Sequence, residues 1–216
     1  MVTNQELIEH LEDTGVLRSP KIKAALLRFP REYFVPDELR QAAYEDRPLP
    51  IGEGQTISQP YTVVFMLEEL AVEVGDKVLE IGAGSGWQTA LLSYLVGGGG
   101  HVWAYEIKHE VAEFGQANLE RFKRDAPTGL SLQNVDYVEG DAIEHAPEHA
   151  PYNRIIAGAA FGDVVETQYI ASLLSIGGRM VVPTLNNDIR VIDRVEENKF
   201  KEKIHYGFVF VPVVHE

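Results

Sequence analysis

The fold is decided by residues 77–86, which read KVLEIGAGSG. The apolar run 77–81 is typical of a short buried strand, and residues 86–96 have the composition of a helix. Glycines between the two let the backbone turn sharply and come close to a ligand, because no Cβ stands in the way. This order of elements predicts a nucleotide-type site of a Rossmann-like fold, although a tight turn built for geometry alone would contain the same glycines.

Strands and helices alternate along the chain after this turn. Predicted strands cover 77–81, 101–106, 135–138, 154–158 and 179–183, and predicted helices cover 86–96, 110–122 and 164–174. Repeated β–α units predict an α/β fold with a doubly wound, mostly parallel sheet between two helical layers. The tail is different, because 189–195 and 204–213 are rich in β-branched and aromatic residues with no helix between them. This composition predicts that the two segments form an antiparallel strand pair at the edge of the sheet.

The first sixty residues precede this core and have a different character. Thr3 and Glu6 have the spacing of a capping box, which predicts a helix at the N-terminus. Prolines and glycines predict that residues 44–60 form an irregular loop. We expect one domain, residues 1–216, with three parts: helices and an active-site loop in 1–60, a Rossmann-like core in 61–183, and β-strands in 184–216.

Composition excludes several classes of site and partner. The chain contains no cysteine, which rules out disulfides, zinc–thiolate sites and a thiol nucleophile. Its net charge of −14 disfavours a nucleic acid partner, because phosphates would be repelled. The seven histidines are scattered, so no metal site is expected. No apolar run is long enough to span a membrane and the start is polar and acidic, so we expect a cytoplasmic protein without a membrane contact.

Two carboxylates indicate which ligand the glycine turn binds. Glu106 ends the next predicted strand about 20 residues after Gly86, where Rossmann-like folds place a carboxylate on a ribose diol. A solvated strand end is the alternative for Glu106, and the spacing alone also fits NAD. However, the glycine pattern is G-x-G-x-G and follows Glu80, which suits a ligand without phosphate. S-adenosylmethionine has no phosphate and carries a positive sulfonium, so the pattern favours it.

A third acidic residue follows the third predicted strand of the core. Asp141 lies in the sequence Gly140-Asp141-Ala142. It could accept a hydrogen bond from the adenine amino group, or it could cap the start of a helix. The sequence leaves both interpretations open.

A second motif lies upstream of the core. Residues 49–60 read LPIGEGQTISQP, residues 29–36 read FPREYFVP, and residues 209–213 read VFVPV. Together with 78–90, these segments closely resemble the protein-L-isoaspartate O-methyltransferase family over nearly the whole chain. The resemblance implies transfer of a methyl group from S-adenosylmethionine to the free α-carboxylate of L-isoaspartyl residues in damaged proteins, with S-adenosylhomocysteine as the product. It implies isoaspartyl proteins and peptides as partners, and we expect a monomer.

The resemblance also implies roles for individual residues. Ser58 is the expected catalytic residue, beside the methyl group and the substrate carboxylate, although it could instead cap the helix that begins near Pro60. Predicted substrate contacts are Thr56, Ser58, Ala159 and Ala160. Predicted cofactor contacts are Thr56, Ile57, Gln59, Glu80, Gly82, Gly84, Gly86, Glu106, Ile107, Asp141 and Ala142.

The sequence departs from the family pattern in one place. Residues 158–166 read GAAFGDVVE, where the family usually has Ala-Ala-Pro and a shorter loop. The methyl-donor site is therefore expected to be intact, while the choice of peptide is left open. Two alternatives follow: a methyltransferase of the same lineage that acts on another protein or peptide carboxylate, and a non-catalytic module that binds S-adenosylmethionine.

Overall fold

The computed structural model describes residues 2–125, 132–162 and 164–213. Its α-helices are α1 (Asn4–Asp13), α2 (Pro20–Arg28), α3 (Pro60–Leu70), α4 (Trp87–Val96), α5 (His109–Asp125), α6 (Ala142–His145) and α7 (Val164–Ser172). Its strands are β1 (Leu49–Gly52), β2 (Gln55–Ile57), β3 (Lys77–Ile81), β4 (His101–Glu106), β5 (Val135–Glu139), β6 (Tyr152–Ala157), β7 (Leu174–Thr184), β8 (Asp188–Glu196) and β9 (Lys199–Tyr206). Short 3₁₀ helices cover Arg31–Phe34, Asp37–Ala42, Gly97–Gly99 and Ala146–His149.

The large sheet confirms the predicted fold class. Its seven strands run in the order β5-β4-β3-β6-β7-β8-β9. The first five pair in parallel, and β8 and β9 continue the sheet in antiparallel pairing. The order reverses at β3, because the chain builds outward to β5 on one side before it returns to β6 on the other. In open α/β sheets, ligands bind at the carboxyl ends of the strands beside such a reversal.

Side chains on the two faces of the sheet enter two different hydrophobic cores. Val78 lies in the core that contains the N-terminal helices, whereas its neighbour Leu79 lies in the opposite core with residues of α7. Successive side chains of a strand point to opposite faces, so an apolar run such as 77–81 requires helices on both sides. The predicted capping box is present, because Thr3 and Glu6 each accept a hydrogen bond from the backbone N–H of the other.

The prediction of an irregular loop over 44–60 is wrong for its second half. β1 and β2 form an antiparallel hairpin with Leu49 opposite Ile57. Its turn is Gly52-Glu53-Gly54, and all three residues have a positive φ. Two glycines among three such positions make the turn possible, since residues with a Cβ rarely adopt this conformation. The buried Leu49 and Ile57 anchor the hairpin in the core.

The C-terminal strand pair is confirmed, but the predicted position of its second strand is wrong. β9 ends at Tyr206, and the chain leaves the sheet at Gly207, whose φ is +96°. The apolar content of 204–213 does not mark the strand, because β9 is an exposed edge strand that carries Lys199, Lys201, Glu202 and Lys203. Charged side chains are a common means of protecting such an edge from unwanted pairing. The apolar segment after Gly207 instead returns to Ala160, where Pro212 forms a parallel bridge.

Candidate active site

Two adjoining cavities lie at the carboxyl ends of β3, β4, β5 and β6. The first contains about 620 Å³ of empty space and is lined by Ile51, Gln55, Thr56, Ile81, Gly82, Gly84, Tyr105, Glu106, Ile107, Lys108, Gly140, Asp141, Ala142, Ile143, Gly158, Ala159, Val211, Pro212 and Val213. The second contains about 360 Å³ and is lined by Thr56, Ile57, Ser58, Val63, Glu80, Gly82, Ala83, Gly84, Ser85, Trp87, Gln88 and Gly158. The cavities share Thr56, Gly82, Gly84 and Gly158. Most of the predicted site residues are therefore brought together.

The glycine turn after β3 forms the wall between the two cavities. Gly82 and Gly84 line both and have φ values of +75° and +57°, which favour glycine. Gly86 has a different role, because it lines neither cavity. A Cβ on Gly86 would lie 3.0 Å from Cγ of Leu119, so its small size allows α5 to pack against the start of α4.

Glu106 connects the glycine turn to the end of β4. Its Oε2 accepts a hydrogen bond of 3.0 Å from the N–H of Gly84, and its Oε1 accepts one of 3.1 Å from the N–H of Lys108. Burial raises the pKa of Glu106, and these backbone N–H groups oppose the rise. The carboxylate is thus fixed in direction at the wall of the first cavity, where further lone pairs can accept from a diol.

Glu80 is completely buried and lines the second cavity. Gln88 donates to its Oε1 at 3.0 Å, whereas its Oε2 has no hydrogen-bond partner within the described part of the chain. Burial raises the pKa of Glu80 to about 8, against the opposing effect of the Thr89 and Gln88 side chains. A buried oxygen without a partner is costly, so this carboxyl group is suited to receive a cation or a hydrogen-bond donor from a ligand.

Ser58 lies in the second cavity together with the glycine turn. The alternative, that Ser58 caps α3, is wrong. The N-cap residue is Gln59 and its side chain makes no capping hydrogen bond. The cap comes instead from Asp46, whose Oδ1 accepts from the N–H of Tyr61 at 2.8 Å. The Ser58 side chain is therefore not needed to begin the helix.

Two other residues predicted to contact ligands lie outside the lining of both cavities. The Gln59 side chain donates to Oδ2 of Asp46 at 3.2 Å. Ala160 is buried, and its N–H and carbonyl bond with the carbonyl of Val211 and the N–H of Val213. Both residues support neighbouring segments of the site, and their contact with a ligand remains a prediction.

Asp141 caps a helix and also lies at the cavity, so its contact with the adenine remains a prediction. Its Oδ1 accepts from the N–H of Ile143 at 2.7 Å, which caps α6. The same residue lines the first cavity beside Ala142, and Ile107 lines it from the end of β4. A carboxylate has two oxygens, so one can cap the helix while the other faces the cavity.

We expect that Asp141→Ala weakens binding of S-adenosylmethionine about tenfold, since one hydrogen bond to a charged group contributes roughly 1.5 kcal/mol or more. Isothermal titration calorimetry on the purified protein measures the change. Because alanine also removes the cap of α6, Asp141→Asn serves as the control, since asparagine is an equally good N-cap. Unchanged affinity in the alanine variant would contradict a contact between Asp141 and the donor.

Sequence reasoning missed the residues that roof the first cavity. Ile51 and Gln55 come from the hairpin, and Val211–Val213 come from the C-terminal segment. Lys108 holds the tip of the hairpin, because its Nζ donates to the carbonyl of Glu53 at 3.0 Å. The sequence shows a basic residue two positions after Glu106, but only the fold shows that this lysine contacts the hairpin.

The departure at 158–166 lies beside the site, and its Asp163 falls outside the described residues. Phe161 is hydrogen-bonded to the end of β7, because its N–H donates to the carbonyl of Pro183 and its carbonyl accepts from the N–H of Leu185. Gly158 and Ala159 are the described residues of this segment that line the two cavities. The described residues of the departure itself, which begins at Phe161, line neither cavity, and the glycine turn is as predicted.

The described ranges also bear on two other kinds of site. Among residues 2–125, 132–162 and 164–213, no group of three or more histidine, aspartate or glutamate side chains is arranged to hold a metal ion. Over the same residues, none of the helices has the length and apolar content that crossing a membrane requires.

Comparison with known proteins identifies relatives over the full chain. Residues 2–216 match the family model described as protein-L-isoaspartate(D-aspartate) O-methyltransferase. A protein-L-isoaspartate O-methyltransferase of Aeropyrum pernix is 41% identical over 97% of this chain and 78% of its own length. One of Hyperthermus butylicus is 40% identical over 98% of this chain and 88% of its own length. The family predicted from the two motifs is confirmed.

Solved structures share the fold. A Plasmodium falciparum protein described as a putative protein-L-isoaspartate O-methyltransferase, solved in complex with S-adenosyl-L-homocysteine, has a TM-score of 0.84 at 20% identity. The similarity covers 98% of each chain. A second structure named protein-L-isoaspartate O-methyltransferase has a TM-score of 0.82 at 28% identity and covers 99% of this chain and 66% of the other.

Proposed function

Because this chain belongs to the protein-L-isoaspartate(D-aspartate) O-methyltransferase family, we propose that it methylates the free α-carboxylate of L-isoaspartyl residues in damaged proteins. The methyl donor is S-adenosylmethionine, and S-adenosylhomocysteine is the product. The observation that carries the proposal is the position of Ser58, which lines one cavity together with the glycine turn. A donor held by that turn would thus present its methyl group on the side where Ser58 can hold a carboxylate.

Chemistry at this site requires alignment more than proton transfer. An α-carboxylate ordinarily has a pKa of about 3.5, so the attacking oxygen is already ionised at neutral pH. The donor would supply a methyl group on a positive sulfonium, from which a neutral thioether is a good leaving group. The new C–O bond forms as the C–S bond breaks, and the electron pair of the latter stays on sulfur. Holding the two reactants in line can therefore supply most of the rate enhancement.

The residues of the site have separate tasks in this reaction. Glu106 and Asp141 line the first cavity and would hold the ribose and the adenine. Glu80 lies in the second cavity, where a cationic group of the donor would meet its free oxygen. The Ser58 hydroxyl is a neutral donor, so it can orient the carboxylate without strongly reducing its nucleophilicity. The hairpin would exclude water from above.

We expect the affinity for S-adenosylmethionine to rise with pH between about 6 and about 8. The pKa of Glu80 is raised to about 8, so this group is mostly protonated in the empty protein at pH 7. A cation beside it favours the ionised form, and binding must then release a proton. Calorimetry in two buffers of different ionisation enthalpy measures that release. Glu80→Gln should abolish both the release and the pH dependence; an identical pH dependence in this variant would contradict the role of Glu80.

The decisive experiment is transfer of labelled methyl from S-adenosylmethionine to a short isoaspartyl peptide. The control is the same peptide with a normal aspartyl residue. Labelling of the isoaspartyl peptide alone supports the proposal. Labelling of both peptides, or of the normal one only, would favour a relative with another carboxylate substrate, the alternative that the departure from the family pattern at Phe161 leaves open. Donor binding without transfer to either peptide would favour a non-catalytic module.

We further propose that the protein acts as a monomer in the cytoplasm and does not bind nucleic acid. The net charge of −14 supports the last point, since an acidic surface repels phosphate. Light scattering after gel filtration measures the oligomeric state. A stable dimer in that measurement would overturn the proposed monomer.

A further inference from the structure

Arg31 is a fully buried arginine whose hydrogen bonds run to the backbone of other segments. Its Nη1 donates to the carbonyl of Ala43 at 2.8 Å. Its Nη2 faces three carbonyl oxygens: Arg47 at 3.2 Å, Ile57 at 3.3 Å and Ser58 at 2.9 Å. A single side chain from a 3₁₀ helix thus ties together both ends of the segment that carries the hairpin.

The surroundings of Arg31 hold its guanidinium in one orientation. The group lies over the ring of Trp87, with 5.4 Å between Cζ and the ring centroid. Trp87 is itself fixed, because its indole N–H donates to the carbonyl of Phe29 at 3.0 Å. Burial lowers the pKa of Arg31, and the nearby Asp46 opposes that effect. A planar guanidinium stacked on a ring and bonded at both terminal nitrogens has little freedom to move.

Two of the four acceptors flank the residue expected to act on substrate. The carbonyls of Ile57 and Ser58 belong to the peptide groups on either side of the Ser58 Cα. Fixing both peptide planes fixes φ and ψ at Ser58, and these angles set the direction of the Cα–Cβ bond. Trp87 also lines the same cavity as Ser58, so the ring that holds the guanidinium is part of the same site.

We propose that Arg31 is a positioning residue for methyl transfer, which holds the peptide groups on both sides of Ser58 so that the hydroxyl faces the glycine turn. This inference rests on the proposed function of the Ser58 cavity. Arg31 lines neither cavity, and its four carbonyl partners are separate from the acidic side chains that would hold the donor. Its loss should therefore affect turnover and leave donor binding largely unchanged.

The test compares Arg31→Lys with Arg28→Lys. Lysine keeps the charge, but all its N–H donors are on one nitrogen, whereas those of arginine are spread over a planar group. Lysine therefore cannot reach all four carbonyls. Arg28 is the matched control, because it is an exposed arginine that also stacks on an aromatic ring, Tyr94, and lines neither cavity. We expect Arg31→Lys to lower kcat for an isoaspartyl peptide about tenfold, since small misplacements of reacting groups are costly. Arg28→Lys should stay within about twofold of the wild type.

Two measurements separate positioning from general damage. Rates are divided by the number of sites that bind S-adenosylmethionine in calorimetry, so that only folded protein is counted. Donor affinity should stay within about threefold in Arg31→Lys, and added guanidinium at non-denaturing concentration should partly restore kcat in Arg31→Ala. Because kcat is counted per donor-binding site, recovery of folded protein alone would not give that rescue.

Other results would contradict either the positioning role of Arg31 or the proposed function. An unchanged kcat in Arg31→Lys, or equal losses of turnover and donor affinity, would overturn the positioning role. Failure of Arg31→Lys to fold would also overturn it, because the residue would then serve the whole fold. Absence of transfer by the wild-type protein would overturn the proposed function itself, so the two failures are distinguishable.

Discussion

Replacing Ser58 with alanine is expected to lower kcat for an isoaspartyl peptide about a hundredfold or more, with only a small change in affinity for S-adenosylmethionine. Removal of one preorganised donor from a catalytic site typically has an effect of this size. Ser58 lines the cavity shared with the glycine turn, and its hydroxyl is not used to cap α3. The structure therefore leaves the hydroxyl available for the carboxylate.

Steady-state kinetics with saturating donor measure kcat, and calorimetry measures the donor affinity. Ser172→Ala is the control, because Ser172 lies at the end of α7 and its hydroxyl donates to the carbonyl of Tyr169. A loss of donor affinity as large as the loss of turnover would argue against a role for Ser58 at the carboxylate. Equal turnover in the wild type and Ser58→Ala would do so as well.

Glu106→Gln should weaken binding of S-adenosylmethionine about a hundredfold, equivalent to about 2.7 kcal/mol. Two effects add here. The amide loses the negative charge that a ribose diol would meet. In addition, Glu106 accepts one backbone N–H on each carboxylate oxygen, and the NH₂ group of glutamine cannot accept either of them. If the NH₂ group faces Gly84, two donors meet there, so the glycine turn itself would shift.

The chain offers a matched control for this variant. Glu139 stands opposite Glu106 in the register of β4 and β5 and also ends its strand, but it is exposed and lines neither cavity. Glu139→Gln should bind the donor with wild-type affinity. Similar losses in both variants would mean that a general change of charge, and not the diol contact, explains the result.

Local sequence patterns were sufficient for the core of this molecule. β3 and β4 have the predicted bounds, because each is a short apolar run that ends at a glycine turn or an acidic residue. The conformation of the glycine turn follows from its own residues, and the position of Glu106 follows from the parallel pairing of neighbouring strands. Five parallel strands place their carboxyl ends at one edge, so the site follows from the fold class.

The missed features depend on contacts between distant segments. β1 and β2 contain only four and three residues, too few to show a period, and they exist because Leu49 and Ile57 are buried against the core. The return of Val211 to Ala160 uses backbone hydrogen bonds, which no side-chain pattern encodes. Nothing in the sequence distinguishes Arg31 from other charged residues. Its four carbonyl partners, which lie in distant segments, become visible only in the fold.

Thr56 of the hairpin lines both cavities, so the hairpin acts as one flap over the donor cavity and the Ser58 cavity. Any lifting of that flap uncovers both chambers in one event. Release of the spent thioether and departure of the methyl ester would then share one gate and one opening rate. We therefore expect fresh donor to enter only after the methylated peptide has left.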